Sequence, residues 1–195
     1  MHKFCLFIIP SLLLTACAAG ASTDPLAERT LSGGLLEIGD QKAPVRITLF
    51  LNHSSPYSQR FFRDLLPRLT EDFVRSNKVR LDIVPVAFKK YPESASDASA
   101  LFCAAAEGKG QKMNDLLFGP TTTPTEQKKQ RRLIGINETL YQACLKGTAV
   151  QSALSAQSAM AASRGVTLVP TYFINDAKYV GLPEYSDLKG QVTSP

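Results

Sequence analysis

Apolar and polar positions alternate along the chain in patterns that predict strands and helices from about residue 35 onward. Leu35-Leu36-Glu37-Ile38 is a short strand candidate, and the β-rich run from Val45 to Leu51 is a longer one. Apolar residues then recur at helical spacing, at Phe61, Leu65, Leu66, Leu69 and Phe73. A further apolar strand candidate covers residues 79–88. A strand, a helix and a strand in this order predict a βαβ unit with parallel strands.

A helical region, residues 92–164, follows this unit. It contains an alanine-rich segment, a charged segment and a long Ala/Ser-rich segment that ends at Gly165. The charged segment carries Lys128, Lys129, Arg131 and Arg132, a pattern typical of a solvated helix face. Residues 166–175 contain a loop and a further strand candidate, and residues 178–181 are the last strand candidate. The pattern predicts an α/β protein with a helical insertion.

The N-terminal residues have the features of an export signal. Lys3 precedes an apolar stretch, residues 4–14, that is too short to cross a bilayer as a mature helix. Leu14-Thr15-Ala16-Cys17 resembles a bacterial lipobox, so residues 1–16 are predicted to be a lipoprotein signal peptide and Cys17 is predicted to carry lipid. Ala18 after the cysteine resembles the outer-membrane sorting pattern. Residues 17–34 are small and polar and are predicted to be a flexible tether to a domain at 35–190.

Composition limits the classes of partner. The chain has 195 residues, 44% of them hydrophobic, which suffices for one domain with a sizeable core. The net charge of +5 is mild, and no long basic run alternates with aromatic residues. Nucleic acid is therefore not expected as a partner.

Two serines stand where the longer strand gives way to the helix. Ser55 is placed as the N-cap and Pro56 as the first helical residue, and both residue types are favoured there. Ser58 lies one turn further along. The two hydroxyls are therefore predicted to lie at the helix end that exposes unpaired N–H groups and the positive end of the helix dipole.

This arrangement resembles the active site of the DsbA-like branch of the thioredoxin superfamily. In that branch a strand leads into Cys-Pro-Tyr-Cys at a helix N-terminus. Here the motif is Ser55-Pro56-Tyr57-Ser58, with Ala43-Pro44-Val45 before it and Gln59-Arg60-Phe61 after it. Because a serine hydroxyl stays protonated at neutral pH and cannot form a disulfide, these positions form a degenerate site without dithiol chemistry.

A second stretch, residues 166–175, resembles the loop that holds a cis-proline beside the active site in thioredoxin folds. Pro170 matches that proline. The resemblance covers residues 35–190 and implies a thioredoxin-like α/β fold with its helical insertion at about 92–164. It also implies that a partner would be bound by Ser55, His53, Tyr57, Val169 and Pro170.

Two cysteines, Cys103 and Cys144, remain for the domain and both fall in the helical insertion. An even pair in an exported domain usually forms a disulfide, and some DsbA-like relatives carry a second, structural one. We therefore predict a structural disulfide between them.

The same residues suggest other site chemistries. His53 next to Ser54 and Ser55 suggests a Ser–His hydrolase, but no Gly-x-Ser-x-Gly motif and no acidic orienting residue accompany it. One histidine and two bridged cysteines leave no ligand set for zinc. Ser-Pro-Tyr-Ser also resembles the kappa-class glutathione transferases and the related chromene-carboxylate isomerases. In those enzymes the first serine hydrogen-bonds the glutathione thiolate.

The sequence therefore favours a membrane-tethered, extracytoplasmic DsbA-like protein without dithiol chemistry and without a cofactor. It would bind extended polypeptide or a protein of the bacterial envelope, or act as a structural component of an envelope assembly. A serine-based glutathione-binding enzyme is the alternative. The sequence also leaves open that Ser55 and Ser58 replace cysteines exchanged in the laboratory.

Overall fold

The computed structural model describes residues 26–120 and 123–194. Within them, one sheet has the strand order β1-β2-β4-β3-β5-β6. The strands are β1 Glu28–Thr30, β2 Leu36–Ile38, β3 Val45–Leu51, β4 Val79–Pro85, β5 Thr171–Ile174 and β6 Ala177–Val180. β3 and β4 are parallel, and the other neighbouring pairs are antiparallel. The βαβ prediction is confirmed.

The helix between β3 and β4 runs continuously through residues 56–74, and we call it the Ser55 helix. It consists of α1 Pro56–Arg60, a π-helical turn Phe61–Leu65, α2 Leu66–Leu69 and a second π-helical turn Thr70–Val74. In the first π-helical turn the Leu66 N–H donates to the Phe61 carbonyl, five residues earlier. Pro67, which has no N–H to donate, follows this widened turn directly.

The helical insertion predicted between β4 and β5 is confirmed. Its helices are α3 Ser94–Ala106, α4 Gly110–Leu117, α5 Pro124–Leu133, α6 Glu138–Lys146 and α7 Thr148–Ser163. A last helix, α8 Tyr185–Thr193, follows the β5–β6 hairpin. In the described part of the chain no helix is long and apolar enough to cross a membrane.

The sheet buries apolar side chains on both faces because successive residues of a strand point to opposite sides. Ile47 and Leu49 of β3 belong to the main core cluster. Phe50 belongs to a second cluster with Val84 and with Ala161 of α7. The strand that leads into the Ser55 helix is therefore fixed from both sides.

The predicted disulfide is present. It joins Cys103 of α3 to Cys144 of α6, with the two Cα atoms 5.8 Å apart. Cys103 is buried in the main core cluster. The bridge therefore lies within the helical insertion and ties two of its helices together.

The N-terminal part of the fold differs from the predicted tether. Residues 28–30 lie within the expected tether, 17–34, yet they form β1, which pairs with β2. The Glu28 carboxylate also accepts hydrogen bonds at the start of α4, from the Gly110 N–H at 2.6 Å and the Gln111 N–H at 2.9 Å. A carboxylate at a helix N-terminus satisfies unpaired N–H groups and complements the helix dipole. The predicted signal peptide and Cys17 lie outside the described residues.

We expect Glu28→Ala to lower the free energy of unfolding by about 1–2 kcal/mol, because it removes a charged cap from α4. Urea denaturation would measure the change. Glu184→Ala is the matched control, since Glu184 is the N-cap of α8 but its side chain makes no capping hydrogen bond. Equal losses in the two variants would contradict the capping role of Glu28.

Candidate functional site

Ser55 caps the Ser55 helix as the sequence predicts. Its backbone is extended, with φ −81° and ψ 122°, and its Oγ accepts a long hydrogen bond of 3.5 Å from the Ser58 N–H. Pro56 is the first helical residue. Proline loses nothing in the first turn, since its missing N–H would have had no partner there.

The Ser58 hydroxyl is also engaged with the backbone. Its Oγ accepts a hydrogen bond of 3.2 Å from the Asn52 N–H. Both serines are buried, with 2% of Ser55 and 1% of Ser58 exposed. The two hydroxyls therefore accept hydrogen bonds that hold the turn together, and little of either is open to solvent.

Asn52, which the sequence analysis did not single out, organises this turn. Its side-chain amide donates to the Val86 carbonyl at 2.8 Å and its Oδ1 accepts from the Ser54 N–H at 3.0 Å. Its own carbonyl accepts from the Ser55 N–H. Asparagine side chains commonly hydrogen-bond the backbone two residues ahead. An asparagine directly after a strand is therefore the sequence feature that could have predicted this role.

The loop before β5 lies at the same sheet edge as this turn. β3 and β5 are antiparallel, and Phe50 pairs with Thr171. The carboxyl end of β3 therefore meets the amino end of β5, which begins directly after Pro170. The Val169–Pro170 bond is cis, as the sequence predicts. The structure thus places Pro170 beside the residues that lead into Ser55.

Val169 offers an unused backbone edge at this point. The Thr171 hydroxyl donates to the Leu168 carbonyl, and the Pro170 carbonyl accepts from Gly181. Within the described residues, neither the N–H nor the carbonyl of Val169 has a hydrogen-bonding partner. Such groups are available to an extended chain from outside.

Two exposed apolar side chains lie in the segments that meet at this end of the sheet. Tyr57 in the first turn of the Ser55 helix is 61% exposed, and Leu168 is 63% exposed. Val169 is half-buried and Pro170 is buried. Of the residues predicted to contact a partner, Tyr57 and Val169 are the accessible ones.

His53 is not accessible, which corrects its predicted role as a partner-binding residue. It is 3% exposed, and its Nε2 lies 3.0 Å from the Asn114 Oδ1 of α4. Its ring packs on Phe118, with centroids 4.6 Å apart, and Phe118 stacks on Phe62 of the Ser55 helix at 4.2 Å. His53 therefore joins the turn before Ser55 to the helical insertion.

Burial lowers the pKa of His53 from 6.5 to about 4, and the hydrogen bond with Asn114 opposes this effect only partly. The folded protein therefore holds this imidazole neutral. Between these two pH values the unfolded chain binds a proton that the folded chain does not bind. A falling pH consequently favours the unfolded state.

We expect His53 to reduce the free energy of unfolding by about 3 kcal/mol as pH falls from 6.5 to 4. His53→Gln keeps a donor for Asn114 and cannot titrate in this range. Its stability should depend less steeply on pH, which urea denaturation at several pH values would measure. Parallel pH profiles of the two proteins would refute the neutral, buried state of His53.

The site's chemical repertoire follows from these residues. Two buried hydroxyls and a neutral imidazole supply no thiol and no group that ionises near pH 7. No cluster of three His, Cys, Asp or Glu residues that could hold a metal ion occurs in the described ranges. What the site presents is a free backbone edge with apolar side chains around it.

Comparisons with solved structures support the fold. BdbD from Bacillus subtilis has a TM-score of 0.74 at 22% identity, covering 88% of this chain and 98% of that one. A thioredoxin-like oxidoreductase from Silicibacter pomeroyi has a TM-score of 0.71 at 21% identity, covering 83% and 91%. DsbA from Chlamydia trachomatis has a TM-score of 0.69 at 22% identity, covering 81% and 89%. The predicted thioredoxin-like fold of the DsbA type is confirmed.

Sequence comparison gives the family. No curated protein matches the chain. The thioredoxin family model matches residues 32–194, which include the Ser55 helix, the helical insertion and the loop before β5. The chain belongs to the thioredoxin family.

Proposed function

We propose that this protein is a membrane-tethered, extracytoplasmic thioredoxin-fold protein that binds extended polypeptide and has no dithiol chemistry. The observation that carries the proposal is the free backbone edge of Val169 beside the start of the Ser55 helix. The bound segment would belong to an unfolded chain or to a protein of the bacterial envelope. Its function would be to hold that segment.

The backbone of Val169 supports binding by β-augmentation. An extended peptide that pairs with its N–H and carbonyl would satisfy groups that have no partner in the described chain. The exposed side chains of Tyr57 and Leu168 would contact the apolar residues of that peptide. The backbone pairing would supply affinity for many sequences, and the apolar contacts would select among them.

The two serines support the absence of dithiol chemistry. One structural neighbour is named for this chemistry, the thiol–disulfide exchange protein α-DsbA2 from Wolbachia pipientis, at 17% identity and a TM-score of 0.68. That exchange needs a thiolate as the attacking group. Here the two motif positions hold Ser55 and Ser58. The bridged pair, Cys103 and Cys144, lies in the helical insertion.

The lipobox supports the location. A lipid on Cys17 would tether the domain to a membrane, and Ala18 favours the outer membrane, with the domain facing the periplasm. Palmitate labelling of the full chain in bacteria tests this part separately. Cys17→Ser should abolish labelling, and unchanged labelling would overturn the assignment.

Binding is tested with a cysteine-alkylated, permanently unfolded polypeptide, which excludes disulfide exchange as a cause of association. We expect Val169→Glu to lose most of the binding measured by calorimetry, because its charge is placed in an apolar contact. Leu140→Glu is the matched control, since Leu140 is 59% exposed and lies on α6 of the helical insertion. Ser55→Ala should keep most of the affinity. Equal binding by wild type and Val169→Glu would refute the proposal.

Glutathione binding distinguishes the proposed polypeptide-binding protein from the alternative, a glutathione-binding enzyme. A glutathione site would need the Ser55 hydroxyl as a donor to the thiolate, and losing such a bond costs about 1.5–3 kcal/mol, or roughly ten- to a hundredfold in affinity. The burial of Ser55 argues against it. We expect no glutathione binding at millimolar concentration. Binding that collapses in Ser55→Ala would make the transferase-like function the better one.

A further inference from the structure

The helix α5 carries a basic surface that the proposed function does not use. It contributes no buried residue to the core. Its inward side is held by Arg131, which donates to Glu138 of α6 at 2.7 and 3.1 Å and lies over the Tyr141 ring at 4.9 Å. Since this arginine is engaged within the domain, it is not available to an outside partner.

The opposite side of α5 presents cations and a leucine, and we call it the outer face of α5. It consists of Lys128, Lys129, Arg132 and Leu133, all of them exposed. Residues four positions apart on a helix lie on the same side, so Lys128 stands beside Arg132 and Lys129 beside Leu133. Leu133 is 76% exposed, the largest exposed fraction among the exposed large apolar side chains of the described chain.

The charge of this face is little compensated. Its nearest acid on the same helix is Glu126, whose carboxylate lies 4.0 Å from the Lys129 ammonium. Glu138, the acid on α6, is bound to Arg131. Lys128 and Arg132 face solvent without a hydrogen bond or ion pair to a described residue, although Lys128 lies near enough to Glu138 to help lower the pKa of that carboxyl. A second exposed leucine, Leu140, lies on α6, which packs against α5.

We propose that the outer face of α5 docks on an anionic phospholipid surface. Clustered Lys and Arg residues attract an anionic leaflet, and an exposed leucine among them gains by entering the interface between headgroups and acyl chains. Nucleic acid would satisfy the cations but leave Leu133 in water. An acidic protein could also satisfy the cations, and the experiment below distinguishes such a partner from a membrane.

The length of chain before the fold favours a membrane over an acidic protein, and this step rests on the proposed lipid anchor. The first described residue, Leu26, follows Cys17 by nine residues. Fully extended, they reach about 32 Å at most. The domain would therefore stay close to the bilayer, where even a weak affinity of the outer face of α5 for lipid is sufficient for docking. Docking would then set which side of the domain faces the lipid.

The chain contains no tryptophan, so Leu133→Trp introduces a single fluorescent reporter. The experiment uses the unlipidated chain from Ala18 onward, which includes every strand and helix of the described fold, so its result does not depend on lipidation of Cys17. We expect a blue shift of emission with phosphatidylglycerol vesicles and none with phosphatidylcholine vesicles. High salt should abolish it, because exposed charges are screened. Val180→Trp, on the exposed edge of β6, should show no shift.

A second test removes the positive charges from the outer face of α5. The triple variant Lys128→Gln, Lys129→Gln and Arg132→Gln should bind phosphatidylglycerol vesicles roughly a hundredfold more weakly in co-sedimentation, since each cation near such a surface contributes about a factor of five. The control triple Lys42→Gln, Lys89→Gln and Lys112→Gln removes the same charge from other exposed lysines and should bind as wild type does.

Three results would overturn the proposal. They are equal losses in the two triple variants, a Leu133→Trp emission that vesicles do not change, and binding to polyglutamate that exceeds binding to vesicles. The last would assign the outer face of α5 to an acidic protein. Loss of palmitate labelling in Cys17→Ser alongside intact vesicle binding by the unlipidated chain would support both proposals independently.

Discussion

Replacing both Ser55 and Ser58 with cysteine is expected to produce thiol–disulfide oxidoreductase activity, which the proposed function does not assign to the wild-type protein. At a helix N-terminus the pKa of a thiol falls from about 8.5 into a range of about 3.5–7.5, so the thiolate fraction at pH 7 rises roughly eight- to thirtyfold. We expect the double variant to reduce insulin disulfides at least about tenfold faster than the uncatalysed rate. The thiolate is the attacking group, so the rate rises with the thiolate fraction. The wild-type protein should not exceed the uncatalysed rate.

Two variants make this result specific to the motif. Ser55→Cys alone provides a thiol without a resolving partner and should not sustain turnover. Cys103→Ser/Cys144→Ser removes the disulfide of the helical insertion and should leave the wild-type rate unchanged. Wild-type activity above background that persists in Cys103→Ser/Cys144→Ser would show that redox chemistry does not need the motif thiols.

Loss of the Cys103–Cys144 disulfide is expected to have the largest effect on stability. The two residues are 41 positions apart. In the chain-entropy model, opening a loop of this size lowers the free energy of unfolding by about 4 kcal/mol, because the unfolded chain regains conformational freedom. Urea denaturation of Cys103→Ala/Cys144→Ala against the oxidised wild type would measure the change.

A chemical control accompanies the mutation. The oxidised chain from Ala18 onward, denatured without reductant, should contain no free thiol, because its two cysteines are bridged. Two free thiols would contradict the bridge in solution. A stability loss much below 1 kcal/mol would mean that α3 and α6 hold their positions without it.

The sequence predicted best those features whose causes are local. The cap at Ser55 depends on Ser55 and Pro56 themselves, and the strand after Pro170 depends on its own β-branched and aromatic residues. The parallel pairing of β3 and β4 follows from a helix connecting two strands. The pairing of Cys103 with Cys144 was predictable because no other cysteine follows Cys17.

Features that depend on distant residues were missed. Glu-Arg-Thr at 28–30 shows no apolar alternation, and it forms β1 because β2 offers a partner and α4 offers N–H groups to Glu28. The burial of His53 depends on Asn114, 61 residues away.

The hydrogen bonds of the two motif serines have an evolutionary consequence. Each hydroxyl accepts a backbone N–H, and sulfur is a much weaker acceptor than oxygen. Serine at a helix N-cap is worth about 1 kcal/mol over a residue that cannot cap. Under the proposed function, an exchange of cysteine for serine at these positions would gain folding free energy as it removed the thiols. Selection for stability alone would then oppose the return of cysteine at these positions. Only selection for the redox reaction could restore it.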